Sequence, residues 1–452
     1  MFFMNIEDFK KSLKDKKVSV IGIGISNRPL IKYLNKAGAI VTAYDKRTKA
    51  ELGEIWEEMS ALGIKMVLGE DYLDNLEGEI IFKTPGLRFD NPALQEARSR
   101  GAKITSEMEV FFDVCPCKII AVTGSDGKTT TTTLIYEILE KSGYKVWLGG
   151  NIGKPLLCDT EKMEPSDIVV LELSSFQLHT MRKSPHIAVI TNITPNHLDM
   201  HKDYQEYIDA KKNIMLYQSK GDKLVVNASN EETEKIGKEA KGILLDFSSK
   251  KDAYVTLSGG DIIRDGKPVL KIADIKIPGM HNIENYMAAI AAVEGLARDE
   301  AILEVAKTFG GVEHRIELIR VLDGVKYYNS SIDSSPNRTI NTLKVFKNKV
   351  ILIAGGKDKG IPYDDLGRPL AEKVKVLILI GKTADKIEAA LENYENDVKI
   401  VRCKTYEEVV KTAYSLAKDG DIVVLSPAST SFDMFNNFEE RGNLFKELVN
   451  KL

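Results

Sequence analysis

Only four of the 452 residues are cysteine: Cys115, Cys117, Cys158 and Cys403. Their spacing makes neither a zinc knuckle nor a disulfide framework. A reduced, cytosolic chain is therefore expected, with the Cys115-Pro116-Cys117 pair structural. Long apolar runs are also missing. No segment approaches the roughly 20 residues of a membrane helix, and runs such as residues 376–380 have the length of a buried strand. The first residues lack a basic segment and carry Glu7 and Asp8 early, so they do not read as a signal peptide. Charge of one sign is not in excess: 63 Lys and Arg against 66 Asp and Glu leave −3. No general attraction to nucleic acid or to a membrane surface is expected. Internal repeats and low-complexity stretches are absent too.

What is present reads as an α/β protein. Short aliphatic runs alternate with amphipathic stretches along the whole chain, the pattern of βαβ units and mostly parallel sheets. The length suits about three domains of about 150 residues. Three blocks separate, residues 1–106, 107–310 and 311–452. In the first, an apolar run enters Gly22-x-Gly24, and a second, residues 41–45, ends in Asp45. Asn27 stands where a dinucleotide fingerprint has its third glycine. The fit to NAD is weak; a different nucleotide at the same turn, or a simple tight turn, stays open. In the second block, residues 227–278 read as a β-rich excursion with turns at Ser258-Gly259-Gly260-Asp261 and Asp265-Gly266. In the third, strands near residues 349–354 and 421–426 run into loops, where binding groups of such sheets lie.

The most informative stretch is Gly124-Ser125-Asp126-Gly127-Lys128-Thr129-Thr130. It follows an apolar strand and opens a helix, so backbone N–H groups and the helix dipole favour an anion there. Lys128 is placed to reach the outer phosphates of a nucleoside triphosphate, and the Thr129 hydroxyl to ligate Mg²⁺. Only two residues separate Gly124 from Gly127, two fewer than in the common phosphate-loop pattern. Two further strands end in polar groups. Residues 167–171 lead into Glu172, a carboxylate suited to a Mg²⁺ contact, and residues 190–201 hold His197, Asp199 and His201. His197 and Asp199 could bind metal or orient a phosphate, whereas His201 reads as a turn residue.

These motifs, with residues 149–153, 172–177, 279–285, 311–315 and 426–433, resemble the Mur ligases across all three blocks. The resemblance implies three α/β domains: a Rossmann-like first domain that binds a UDP-linked substrate, a central phosphate-loop ATPase-like domain, and a Rossmann-like third domain that binds an amino acid. The segments 172–178 and 425–442 are most similar to the branch that adds D-glutamate, and the Asp-Asn-Pro-Arg signature of the diaminopimelate- or lysine-adding branch is absent. The implied substrates are ATP, UDP-N-acetylmuramoyl-L-alanine and D-glutamate, with Mg²⁺ at two sites, in a monomer that needs neither nucleic acid nor membrane. Residue by residue, the resemblance implies that Gly124, Ser125, Asp126, Gly127, Lys128, Thr129 and Thr130 hold the ATP phosphates, with Asn151 near the γ-phosphate. It puts Thr129, Glu172, His197 and Lys211 at the metals, and Asn282, Asn285 and Arg315 on the nucleotide. Ile25, Ser26, Lys46 and Arg47 would surround the uridine diphosphate, with Thr84, Pro85 and Gly86 near its phosphates. Lys359, Ser431 and Phe438 would frame D-glutamate. The family carries a carbamylated lysine where this chain has Lys211, with Lys212 the competing register. Two departures stand out. Asp126 replaces an Asn common in relatives. Ser330 and Ile332 replace an Asp and a Lys, the Asp being a ribose contact for which Asp333 is the candidate substitute.

Overall fold

The structure, a computed structural model, describes residues 5–24, 27–195, 200–358 and 360–452. Ile25, Ser26, His197, Asp199 and Lys359 lie outside the described residues. The chain divides into two compact units, Met1–Asp274 with His281–Lys307, and Ile275–Met280 with Thr308–Leu452.

The first unit contains two sheets among the described residues. The smaller is built from β1 (Lys17–Ile21), β2 (Ile40–Asp45), β3 (Lys65–Leu68), β4 (Ile80–Phe82) and β5 (Lys103–Thr105), all parallel, in the order β3-β2-β1-β4-β5. Four of the five β1 residues are buried, as expected for a strand covered on both faces. The chain winds outward from β1 through β2 and β3, then returns to the other side for β4 and β5. The loops after β1 and β4 are therefore neighbours at the carboxyl edge, the switch point where ligands bind such sheets.

The larger sheet comprises β6 (Lys118–Thr123), β7 (Val146–Gly150), β8 (Ile168–Glu172), β9 (Ile187–Ile190), β10 (Lys223–Asn227), β11 (Ile243–Ser248), β12 (Val255–Ser258), β13 (Asp261–Arg264) and β14 (Lys267–Lys271). Its order is β14-β13-β12-β11-β10-β9-β6-β8-β7. Only the β12–β13 and β13–β14 pairings are antiparallel. The β-rich stretch expected at residues 227–278 thus extends the central sheet rather than leaving it. Its two hairpins turn on Gly259-Gly260 (φ 59° and 91°) and Asp265-Gly266 (φ 48° and 73°). Two consecutive positive φ values are what a two-residue type I′ turn requires.

The second unit has one sheet among the described residues: β15 (Glu317–Leu322), β16 (Val325–Asn329), β17 (Val350–Ala354), β18 (Val374–Leu379), β19 (Lys399–Arg402) and β20 (Ile422–Leu425). The order is β15-β16-β20-β17-β18-β19, with β15 alone antiparallel to its neighbour. β20 returns between β16 and β17, so the loops after β17 and β20 meet at the carboxyl edge. No helix among the described residues is long and apolar enough to cross a membrane.

Candidate functional site

The phosphate loop joins β6 to the helix Lys128–Lys141. Its glycines are required by space as well as by dihedral angle. Gly124 has φ 150°, and a Cβ there would lie 2.0 Å from Thr191 Oγ1. Gly127, in the left-handed region at φ 79°, would place a Cβ 2.3 Å from Asn285 Oδ1. The first helical bond runs from Thr131 N–H to the Gly127 carbonyl, so the amides ahead of it point out of the helix end towards the loop. Lys128 Nζ spans the loop, donating to the carbonyls of Gly124 (3.0 Å) and Ser125 (2.9 Å).

The loop is stitched to the chain that leaves β9. Ser125 N–H donates to the Asn192 carbonyl at 2.8 Å, and Asp126 N–H to Asn192 Oδ1 at 3.0 Å. Thr191 Oγ1 and Asn192 Nδ2 donate to the Asp126 carbonyl. Ser125 Oγ donates to the Thr194 carbonyl and accepts from Thr194 N–H, both at 2.9 Å. Asp126, the departure noted above, meets these partners through its backbone, and the residue is exposed.

Glu172 ends β8 and is 2% exposed. Its Oε1 accepts from Asn151 Nδ2 at 2.7 Å, whereas Oε2 is buried with no hydrogen-bond partner in the protein. Lys211 comes from the helix Tyr204–Leu216, whose buried residues are Tyr207, Ile208, Ala210, Lys211, Asn213, Ile214 and Met215. Tyr207, Lys211 and Ile214 have the spacing of an ordinary core stripe, with a lysine in an apolar position. Lys211 is 1% exposed. Its Nζ donates to the Gly124 carbonyl at 2.7 Å and lies 4.7 Å from the centre of the Tyr207 ring. Burial, and then the positive charge of Lys128, push the Lys211 ammonium well below the ordinary lysine range. Lys212 points to the surface and pairs with Glu239 at 2.6 Å. Asn285 accepts from Thr131 Oγ1 (3.2 Å) and donates to Asn282 Oδ1 (3.3 Å), backing the helix start.

The helix bearing Lys211 is held at its other end. Asp203 caps it by accepting from Glu206 N–H at 2.8 Å, and the Glu206 carboxylate receives a guanidinium fork from Arg88, at 3.0 and 3.1 Å. That fork leads the causes that lower the Glu206 carboxyl to about 2 from the ordinary 4.5. A depressed carboxyl stabilises the fold above its unfolded value and loses that contribution as pH falls through the folded one. Glu206→Gln should therefore lower the denaturant midpoint at neutral pH. The deficit should shrink as the pH falls from about 5 to about 3.

At the β1–β4 switch point, Gly22 N–H donates to the Tyr44 carbonyl at 2.6 Å. Asn27 Nδ2 donates to the carbonyls of Ile21 and Gly22, both at 3.0 Å. The residue that breaks the dinucleotide fingerprint thus closes the turn itself. Asp45 accepts from Ile23 N–H at 2.7 Å and holds the Arg47 guanidinium at 2.8 and 2.9 Å. Lys46 pairs with Glu70 at the surface. Thr84, Pro85 and Gly86 follow β4, and Thr84 packs under Gly22.

In the second unit, Ser431 is buried and the Phe438 carbonyl accepts from Ser331 Oγ at 2.8 Å, a hydroxyl that also meets Arg441, a group with no role in the expectations above. Arg441 is 1% exposed. It donates to Ser331 Oγ (3.0 Å) and to the carbonyls of Ser331 (2.8 Å) and Ser429 (3.1 Å), tying the loop after β16 to the loop after β20. Its only sequence signal is its place in Glu439-Glu440-Arg441-Gly442. Asp333 does not present a carboxylate to solvent. It is buried and accepts from Thr342 Oγ1 and Ser426 Oγ, both at 2.7 Å, and burial raises its carboxyl. Ser330 is buried as well. Arg315 belongs to this second unit. His201 lies in the bend ahead of the helix Tyr204–Leu216, as expected of a turn residue. It is buried against Phe176, with Nε2 2.9 Å from Ser175 Oγ.

Comparison with known proteins matches three family models in order. They are the Mur ligase MurD-like N-terminal domain (residues 16–106), the Mur ligase middle domain (122–293) and the Mur ligase glutamate ligase domain (314–429). The chain is 57% identical to a UDP-N-acetylmuramoylalanine–D-glutamate ligase of Ruminiclostridium cellulolyticum, and 55% identical to the protein of that name from Acetivibrio thermocellus. Each alignment covers 99% of both chains. Among solved structures, a UDP-N-acetylmuramate-alanine ligase from Thermotoga maritima aligns at TM-score 0.58 and 21% identity, covering 96% of this chain and 99% of the other. A MurF ligase from the same organism, in complex with ADP, aligns at 0.54 and 17%, covering 100% and 98%. At those identities the likeness is one of fold.

Proposed function

This chain belongs to the Mur ligase family, and on that premise we propose that it joins D-glutamate to UDP-N-acetylmuramoyl-L-alanine, using ATP, in building the peptidoglycan precursor. The observation that carries the reading is the convergence of half-buried Lys128 with buried Lys211 and Glu172 at one phosphate loop. The names of the high-identity relatives support the choice of amino acid. In this reading residues 1–106 take the UDP-linked substrate at the β1–β4 switch point, residues 107–310 take ATP, and residues 311–452 take D-glutamate beside Lys359, Ser431 and Phe438. A monomer in the cytoplasm, where ATP and nucleotide-linked precursors are made, is part of the same reading.

A carboxylate does not condense with an amine in water without activation. An oxygen of the substrate's alanyl carboxylate attacks the γ-phosphorus of ATP; the bond to ADP breaks and an acyl phosphate forms. The D-glutamate amine attacks the acyl carbon, the bond to the phosphate oxygen breaks, and the nitrogen gives up its proton. Little covalent chemistry falls to the protein, so positioning and charge neutralisation dominate. Lys128 is the point charge for the phosphoryl oxygens, and the amides at the helix start face the same anion.

The donor set fits Mg²⁺. Glu172 Oε2 is a buried, unpartnered carboxylate oxygen, Thr129 brings a hydroxyl at the helix start, and His197 joins them in this reading. Among the described residues no three His, Cys, Asp or Glu side chains converge as a metal site. Lys211 as a carbamate supplies the further anionic oxygens. Its nitrogen bonds to the carbon of CO₂ and releases a proton, a step that needs the neutral amine favoured by burial. When bound, Mg²⁺ neutralises charge on the transferring phosphoryl group.

Phosphate release by the purified chain tests the assignment. Release should require UDP-N-acetylmuramoyl-L-alanine and D-glutamate together with ATP. Release without the UDP-linked substrate, or equal rates with L-glutamate, would overturn it.

A further inference from the structure

Arg88 lies two residues beyond Gly86, in the loop assigned to the substrate's phosphates, yet its guanidinium is directed at the central domain. Nη1 and Nη2 form the fork to Glu206. Nε and Nη2 form a second fork to Asp90, at 2.9 and 2.8 Å. Nη1 also donates to the Met200 carbonyl at 2.7 Å. Five hydrogen bonds thus match the five donors of a planar guanidinium.

The two central-domain partners are not arbitrary surface groups. Met200 closes the segment that follows β9, the same segment whose beginning, Thr191 and Asn192, is stitched to the phosphate loop. Glu206 stands in the first turn of the helix that carries Lys211. Lys211 lies five positions beyond Glu206, about 7.5 Å along the helix axis. A shift of the guanidinium would move this helix, and with it Lys211 Nζ and its bond to the Gly124 carbonyl. The neighbouring contact runs the same way: Phe89 packs edge-on against His179, ring centres 4.6 Å apart.

We propose that Arg88 is a positioning residue that couples the substrate loop at Thr84, Pro85 and Gly86 to the placement of Lys211 at the phosphate loop. The coupling rests on the role given to Lys211 above. A partly exposed ion pair alone contributes little to stability, so a purely structural Arg88 would alter melting slightly and leave turnover alone. A coupling residue does the reverse, because a displacement of about 1 Å at a reacting centre costs about 100-fold in rate.

The experiment uses the full-length chain and its Arg88→Ala, Arg88→Lys, Glu206→Gln and Lys211→Ala variants. For each, kcat, the calorimetric Kd for UDP-N-acetylmuramoyl-L-alanine, the melting temperature and the ¹³C carbamate resonance after equilibration with ¹³CO₂ are measured. Arg88→Ala should lower kcat about tenfold or more while Kd moves less than about threefold, and the carbamate resonance should weaken or shift. Arg88→Lys should restore turnover only in part, since an ammonium cannot form both forks. Glu206→Gln should lower kcat similarly, and the Arg88→Ala/Glu206→Gln double variant should be no worse than Arg88→Ala alone. Wild-type kcat in Arg88→Ala, or losses that simply multiply in the double variant, would overturn the coupling. If Arg88→Ala fails to fold, Arg88→Lys and Glu206→Gln decide by the same kcat and carbamate readouts. An inactive Lys211→Ala beside a fully active Arg88→Ala sinks the coupling alone; a fully active Lys211→Ala sinks the Lys211 reading and the coupling with it.

Discussion

Lys211→Ala is expected to lose at least about two orders of magnitude in turnover, with part of the activity returning when short carboxylic acids such as formate or acetate are added. The expectation follows from where the amine sits. A fully buried lysine is rare unless its charge is met or removed, and here the nearest formal charges are Lys128, which repels it, and Glu172 and Asp126, which attract it. As a carbamate the same side chain would be an anion close to Lys128 and to the buried Glu172 carboxylate, bringing the oxygen donors a divalent cation takes. Truncation to alanine also opens a cavity under the loop, which a small carboxylate can enter. Phosphate-release rates, followed with and without added acids and alongside melting curves, separate a lost charge from a lost fold. Wild-type rates in the variant would rule the role out.

Gly124→Ala should be the second most damaging change. The new methyl would fall 2.0 Å from Thr191 Oγ1 and 3.1 Å from the Asn192 carbonyl, at a φ of 150° that L-residues seldom adopt. Thr191 cannot simply rotate away, because its hydroxyl donates to the Asp126 carbonyl. The loop must move instead, carrying the acceptor of Lys211 with it. A stability loss of about 1–3 kcal/mol is expected, together with a rate loss of about 100-fold from the displaced loop. Nucleotide-binding calorimetry and denaturant melts check the two parts. Unchanged ATP affinity and turnover would show that the loop absorbs the methyl and that its conformation is not critical.

The parts of the site legible in the sequence are those that local pattern encodes. A strand, two glycines and a helix start are contiguous in the chain, so the phosphate loop announced itself, and so did Glu172 at the end of an apolar run. Lys211 was harder, because a helix lysine usually faces water; only the packed face it shares with Tyr207 and Ile214 separates it from Lys212. Arg88 and Arg441 were not legible at all. Each acts on groups far away in sequence, 118 residues for Arg88 and Glu206 and 110 for Arg441 and Ser331, and an arginine among polar residues carries no mark of its eventual partner. Asp333 misled for a related reason. The family resemblance made it the candidate for a replacement ribose contact, but the fold turns it inward onto Thr342 and Ser426, and such hydroxyl donors cannot be read from Asp333 itself. The hairpins that extend the central sheet were visible as turns, yet which sheet they would join is a question of register with β11, and no local signal sets it.

The six hydrogen bonds joining Ser125 and Asp126 to Thr191, Asn192 and Thr194 have a thermodynamic consequence. A glycine-containing loop free in solution loses about 1–2 kcal/mol of backbone entropy per residue when it is ordered. Here that loss is taken when the domain folds, because β9 cannot dock beside β6 without drawing the loop into shape. A nucleotide then meets a loop already ordered, and less of its binding free energy goes to organising the protein around the phosphates.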